Sequence, residues 1–127
     1  SEHPLLNYLP YLGTHIKKAK DIHLYKGKTI ALAGIAITWK ITATRNRQPM
    51  EFVTFEDETD LYECVMFPET YKTFGDLLNW ETLFLIQGKV EKAYSVYTVT
   101  IEKLISLTQM IKRIKETKTV LTESLSQ

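Results

Sequence analysis

A strand, a four-residue turn, a second strand and a helix follow one another between Met50 and Asn79 with no linker between them. Residues Met50–Glu56 alternate: Met50, Phe52 and Thr54 fall on one face, Glu51, Val53 and Phe55 on the other. Asp57-Glu58-Thr59-Asp60 has the composition of a tight turn, and Leu61–Phe67 alternates again, which predicts a hairpin. At Pro68 the period changes. Proline suits a first helical position and Glu69 suits the positive end of the helix dipole. Tyr71, Phe74, Leu77 and Leu78 then recur at helical spacing, and Asn79 is a plausible stop. A lone hairpin cannot bury its apolar face, so further strands are required.

Those strands are present on both sides. Thr29–Thr38 is rich in Ile, Ala and Leu, and Gly34 inside it marks a bulge or sharp bend of the kind that turns a barrel corner. Thr82–Val90 and Ser95–Ile101 are two more β-rich runs, joined by a turn near Lys92-Ala93-Tyr94. The predicted order is β-β-β-α-β-β. This mainly β pattern, with the helix between strands three and four, is the element order of a five-stranded Greek-key OB-fold barrel. The flanks read as helical. Leu5, Leu6, Leu9 and Leu12 form a stripe closed by Gly13, with Pro10 tolerable only in a first turn. Thr108–Glu123 places Met110, Ile111, Ile114 and Leu121 among Lys and Glu. The expected division is a helical, basic lead-in over 1–27, the barrel over 28–105 and a helical extension over 106–127.

Composition narrows the function. The 127 residues carry 16 Lys+Arg and 15 Asp+Glu, a net +1, which argues against a strongly basic nucleic-acid-coating protein. Apolar residues at 44% and aromatics at 11% are ordinary for a globular domain. The longest apolar run, Ile30–Trp39, is far short of a bilayer span, and the opening Ser1-Glu2-His3-Pro4 has neither a basic start nor an apolar stretch, so neither membrane insertion nor a leader is expected. One cysteine, Cys64, excludes an internal disulfide and reads as a small core residue. His3, His15 and His23 are scattered, without metal spacing, and there is no glycine-rich phosphate loop or nucleophile elbow. No metal, cofactor or catalytic residue is expected.

The segment Met50-Glu51-Phe52-Val53-Thr54-Phe55-Glu56-Asp57, running into Leu61-Tyr62-Glu63-Cys64-Val65-Met66-Phe67-Pro68-Glu69-Thr70-Tyr71, resembles the OB-fold of the bacterial replicative DNA polymerase III alpha subunit. There a strand of type M-x-F-V-T-L-E-D is followed by a short turn, E-V-V-V-F-P and a helix opening E-x-Y. Ser1-Glu2-His3-Pro4-Leu5 is similar to the S-G-H-P-L segment preceding that domain, and Gln87-Gly88-Lys89-Val90-Glu91 to its x-G-x-V-E strand. The chain departs at Glu2 and Asp60, where the family commonly has glycine. The likeness covers roughly residues 1–105. It implies a non-catalytic module, since the family's catalytic aspartates lie in a separate palm domain. It also implies a bacterial cytoplasmic setting, single-stranded DNA as a weak partner, and other domains or subunits of a replicative polymerase as neighbours.

Within an OB-fold the ligand usually crosses strands two and three and the loops between strands one and two and between strands four and five. The segment Lys40–Gln48 reads as the first such loop, with Lys40, Arg45 and Arg47 positive and Trp39 at its base. It is either a phosphate-tracking loop or merely a solvated one. Val53 and Phe55 are apolar while Thr54 and Glu56 are polar, so Phe52 is expected outside, with Thr54 beside it. There Phe52 either stacks on a base or packs under a terminal segment. By the resemblance Glu63 also faces outward, accepting from a base edge or simply standing as a surface charge. Lys89, Lys92, Tyr94 and Tyr97 surround the last hairpin and are placed to close the groove, although Tyr94 and Tyr97, three apart, point to opposite faces.

Two charge runs oppose each other. Glu51, Glu56, Asp57, Glu58, Asp60 and Glu63 carry no intervening positive charge and predict weak binding polarised toward the first loop. Lys17, Lys18, Lys20, Lys26 and Lys28 are offset only by Asp21, and read equally as a linker or a second phosphate surface. Two competing functions remain at this point. One is an RNA-binding module of the anticodon type. The other is a protein-binding barrel, favoured by the near-zero net charge and the acidic hairpin.

Overall fold

The computed structural model describes residues 3–126; Ser1 and Glu2 of the His-Pro-Leu opening lie outside them, as does Gln127. Six strands form: β1 (Ile16–Lys17), β2 (Thr29–Ala43), β3 (Pro49–Glu56), β4 (Leu61–Met66), β5 (Leu83–Ala93) and β6 (Val96–Ser106). Helix α1 (Pro68–Phe74) lies between β4 and β5, and α2 (Leu107–Leu125) follows β6. Three 3-10 helices cover Pro4–Tyr11, Ala19–Tyr25 and Gly75–Asn79.

Strands β2 to β6 close into a barrel, and the expected five-stranded OB-fold with its helix between the third and fourth barrel strands is observed. Closure depends on β2. Its first half, Thr29–Ile35, pairs antiparallel with β5, and its second half, Ile35–Ala43, pairs with β3. The change of partner occurs at Gly34 and at a bulge between Ala36 and Thr38. Gly34 is needed there: a Cβ on it would stand 2.5 Å from the Tyr62 hydroxyl, which donates to the Ala33 carbonyl at 2.8 Å. β3 pairs antiparallel with β4, β4 pairs parallel with β6, and β6 pairs antiparallel with β5.

The core follows the predicted alternation. Val53, Phe55, Cys64, Met66, Phe84 and Val99 are fully buried. Phe55 stacks on Tyr62 and meets Phe84 edge-on. Leu78 and the flanks of Tyr71, Phe74 and Leu77 plug one end of the barrel.

The structure corrects several local expectations. β2 runs through Ala43, so Lys40–Ala43 are strand, and the first loop shrinks to the turn Thr44–Gln48. The helix expected over Pro68–Asn79 is α-helical only to Phe74; from Gly75 it tightens to 3-10 geometry, which carries Leu78 into the barrel. The last turn is Tyr94-Ser95, not Lys92-Ala93-Tyr94. Both residues have positive φ, 53° and 68°, the pattern of a two-residue type I′ hairpin. The N-terminal stripe forms a 3-10 helix ending at Tyr11, with Leu12 rather than Gly13 as its C-cap and Pro10 inside it.

The flanks are integrated with the barrel. Ala19 and Ile22 belong to its core, and β1, which the sequence did not suggest, pairs parallel with β2. Leu5, Ala33, Leu107 and Ile111 form a second buried cluster, where the first 3-10 helix and α2 meet on the barrel's outside. The Ser106 hydroxyl caps α2 by accepting from the Gln109 N–H at 3.1 Å. Among the described residues no helix is long and apolar enough to cross a membrane.

Candidate nucleic-acid interface

Register fixes which side chains share the barrel's outer face. Lys40 stands opposite Phe52, Phe52 opposite Val65, Val65 opposite Thr100 and Thr100 opposite Lys89. Directly paired residues point to the same side of a sheet. These five positions therefore form one row across β2, β3, β4, β6 and β5: cation, aromatic, aliphatic, hydroxyl, cation. Because the row crosses every strand of the closed barrel, its path of about 19 Å at the usual strand spacing curves round the outside. Phe52 is 46% exposed, and Val65, on the outward side, is 5% exposed. Two residues along, the next row is Thr38, Thr54, Glu63, Thr98 and Glu91. It is polar and acidic. The Thr54 hydroxyl donates to the Glu63 carboxylate at 2.7 Å, which holds that carboxylate against the sheet.

The remaining candidates separate. Arg45 and Arg47 lie in the turn of the long β2–β3 hairpin, beyond Lys40. That turn is braced: the Thr44 N–H donates to the Gln48 carbonyl and the Arg47 N–H to the Thr44 carbonyl, each at 2.9 Å. Arg47 has a φ of 60°, in the left-handed region. Trp39 does not share the row. It pairs with Val53 and so faces the opposite side of the hairpin, 42% exposed. Lys92 pairs with Tyr97 on the inward side, its ammonium 5.3 Å from the ring centre, while Lys89 faces outward. Tyr94 is fully exposed at its turn. The structure therefore joins Lys40, Phe52 and Lys89, puts Thr54 and Glu63 alongside, and leaves Trp39 and Lys92 on the other side of their strands. Val65 and Thr100 were missed. Their signal is the alternation in β4 and β6, but only the parallel β4–β6 pairing shows that they meet.

The two opposing charge runs meet each other. Asp57 is buried and accepts four hydrogen bonds: from the Thr59 N–H and hydroxyl, from the Asp60 N–H and, across the fold, from the Ala19 N–H at 2.7 Å. Lys18 pairs with Glu58 at 2.9 Å. His3 accepts from the Leu5 N–H through Nδ1, so its Nε2 carries the proton and donates to Glu56 at 3.1 Å. Lys17 sits over the Tyr25 ring. The lead-in is thus docked on the acidic hairpin through Lys18, the Ala19 and Lys20 N–H groups and His3, instead of standing free as a linker.

Burial pushes the Cys64 thiol well above its usual range, with the Glu63 charge adding to it, so this thiol is inert. Burial also raises Glu51. Among the described residues no group of three or more His, Cys, Asp or Glu side chains could hold a metal ion.

A closed barrel whose β2–β4 face presents a cation–aromatic row is the arrangement nucleic-acid-binding OB-folds use, and residues 35–107 match the family model described as OB-fold nucleic acid binding domain. The chain belongs to that family. It is 25% identical over 120 residues to DNA polymerase III subunit alpha of Aquifex aeolicus, covering 92% of this chain and 10% of that protein. It is 27% identical over 117 residues to the subunit of the same name from Halalkalibacterium halodurans, covering 91% and 10%. The chain thus spans about a tenth of these relatives, and the shared part is a non-catalytic OB segment. Asparaginyl-tRNA synthetase from Pyrococcus horikoshii superposes with a TM-score of 0.56 at 19% identity, over 73% of this chain and 23% of that one. A mitochondrial single-stranded DNA binding protein from S. cerevisiae gives 0.54 at 9% identity, over 65% and 97%. Both share the fold.

Proposed function

We propose that this OB-fold holds single-stranded DNA along the row Lys40–Phe52–Val65–Thr100–Lys89, as a non-catalytic module that keeps template near the active site of a bacterial replicative polymerase. The row itself is the observation that carries the reading. A base stacks on Phe52, and phosphates on either side reach Lys40 and Lys89. Arg45 and Arg47 extend the positive path beyond Lys40, and Tyr94 borders its far end. The acidic row beside it, Thr54–Glu63–Thr98–Glu91, keeps the phosphates to one lane. Binding is weak, because the row offers few cations. Weak binding suits a module tethered beside a larger DNA site, where effective concentration replaces affinity. The relatives' bacterial origin supports a cytoplasmic setting, with other polymerase domains as neighbours.

The test is a titration at low salt with a labelled oligo-dT, a duplex of equal length and a tRNA anticodon stem-loop. Tighter binding to oligo-dT than to the other two, weakened in Phe52→Ala, supports the reading. Preference for the stem-loop reassigns the row to RNA. No binding to any of the three, even at millimolar sites, moves the face to protein contacts and refutes the proposal.

A further inference from the structure

Glu51 is out of place. Its parity within β3 is that of Val53 and Phe55, so it points inward, and it is 2% exposed. Its Oε1 is buried and accepts no hydrogen bond from the described residues. A carboxylate taken out of water without a partner is strongly unfavourable, and native structures rarely keep one without a use. Glu51 is not enclosed in the barrel core. It lines a polar cavity of about 230 Å³ under the β2–β3 hairpin. Trp39 and Ile41 wall this cavity from β2, and Tyr71, Lys72 and Asp76 from α1 and the 3-10 turn after it. Asp76 is already engaged, accepting from Asn79 at 3.1 Å and from the Trp80 indole at 3.0 Å. Lys72 is exposed and forms no ion pair with Glu51.

We infer that this cavity is a subsite for one unpaired guanine base, with Glu51 accepting from its Watson–Crick edge, Lys72 donating to its O6/N7 side and Trp39 covering its face. The inference rests on the single-strand reading above and deepens it. Guanine presents two adjacent N–H donors, N1–H and N2–H, which match the two oxygens of a carboxylate, and it presents O6 and N7, which lysine recognises. Thymine and cytosine lack that pair of ring and amino donors on one edge. Adenine places an acceptor where Glu51 needs a donor. Access is open: beyond the Ala36 N–H bond to the Thr82 carbonyl, β2 pairs with β3 alone. A strand following Lys40 on one face can therefore fold a base over this free edge to Trp39 on the other. Lys40 and the Arg45–Arg47 turn stay outside, where the phosphates are.

The experiment compares a dT 12-mer with the same oligomer carrying one central dG or one central dA, on the intact chain. Separately, guanosine and adenosine monophosphates are titrated while the Trp39 indole N–H is followed by NMR, assigned with Trp80→Phe. The dG oligomer is expected to bind about tenfold tighter than dT, within the span a bidentate base contact supplies. Glu51→Gln should remove that preference and move it toward dA, because an amide pairs with adenine and a carboxylate does not. Lys72→Ala, at an exposed position, should reduce the dG preference even if Glu51→Gln fails to fold. Equal binding of the dG and dT oligomers, with no Trp39 shift on adding GMP, overturns the subsite and leaves the Phe52 row standing. A GMP-induced Trp39 shift without oligomer binding keeps the subsite and overturns the row.

Discussion

Replacing Phe52 with alanine separates the ligand role of this residue from its contribution to the fold. The ring is 46% exposed on the outer face, so truncation removes roughly half the transfer free energy of a fully buried phenylalanine, about 1 kcal/mol, and opens no internal cavity. For a chain of this size that corresponds to a melting-point drop of about 4 °C. A base stacked on the ring contributes about 1–3 kcal/mol, so oligo-dT affinity should fall about 5- to 150-fold. The two effects are read on one protein, by circular dichroism melting and by fluorescence anisotropy of a labelled dT 12-mer at low salt. Phe52→Trp should restore affinity, because any broad π-face serves. Leu24→Ala controls for general stickiness: Leu24 is 63% exposed on the second 3-10 helix and is not a member of the row, and its loss should leave affinity within twofold. A Phe52→Ala variant that melts normally and binds normally would refute the row. A variant that no longer folds would show that the ring supports Val65 and the barrel, not a base.

Three further outcomes follow from other parts of the molecule. Arg45→Ala and Arg47→Ala should each lower the slope of log affinity against log salt by about 0.7, the single-strand value per neutralised phosphate; an unchanged slope places that arginine off the path. Gly34→Ala and Tyr62→Phe should each destabilise, the first through the Cβ contact with the Tyr62 hydroxyl and the second by about 1–2 kcal/mol through the lost bond to the Ala33 carbonyl. The double variant should lose less than the sum, since removing the hydroxyl makes room for the methyl, and additive denaturation energies would disprove the contact. Glu51→Gln should gain stability relative to the parent as pH rises from below 4.5. Burial raises the folded-state affinity of Glu51 for its proton, so its unfavourable contribution is absent below the ordinary value of 4.5, sets in as pH rises past it, and is fully present above the raised folded-state value. The charged groups beside it are Lys72 and Asp76, so the same melt series on Lys72→Ala checks that Glu51 carries the effect; a pH-independent difference between Gln variant and parent would exclude it.

The parts of the fold that were legible are those where one face is buried and the other is wet. Val53 and Phe55 against Thr54 and Glu56 fixed the inward side of β3, and with it the outward position of Phe52, because a one-residue slip would have buried the polar set. Phe67-Pro68-Glu69 marked the start of α1 because proline at a first helical position loses no hydrogen bond. Where that contrast fails, the sequence is silent. Trp39–Ala43 extends beyond the barrel with both faces largely accessible, so its residues carry no burial alternation and read as loop, although the β3 ladder holds them as strand. Long-range pairing is equally invisible. Nothing local says that Val65 stands beside Thr100, or that Lys18 reaches Glu58 and the Ala19 N–H reaches Asp57.

Glu51 shows how the two kinds of information combine. The alternation already placed it with Val53 and Phe55, on the side that should be apolar, yet its charge grouped it with the acidic hairpin. The hairpin acids have a structural explanation: Asp57, Glu58 and Glu56 bind the lead-in segment and lock it to the barrel. Glu51 has none, because no described side chain or backbone donor reaches its Oε1. A conflict between local pattern and residue type is expected to persist only where a ligand relieves it, since a buried uncompensated carboxylate works against folding at every neutral-pH moment the site is empty. The same hairpin therefore has two different sides: its outer side carries Lys40 and Phe52, its inner side Glu51 and Trp39, and the proposed strand and base sites lie on either side of the edge of β2 that pairs with β3 alone.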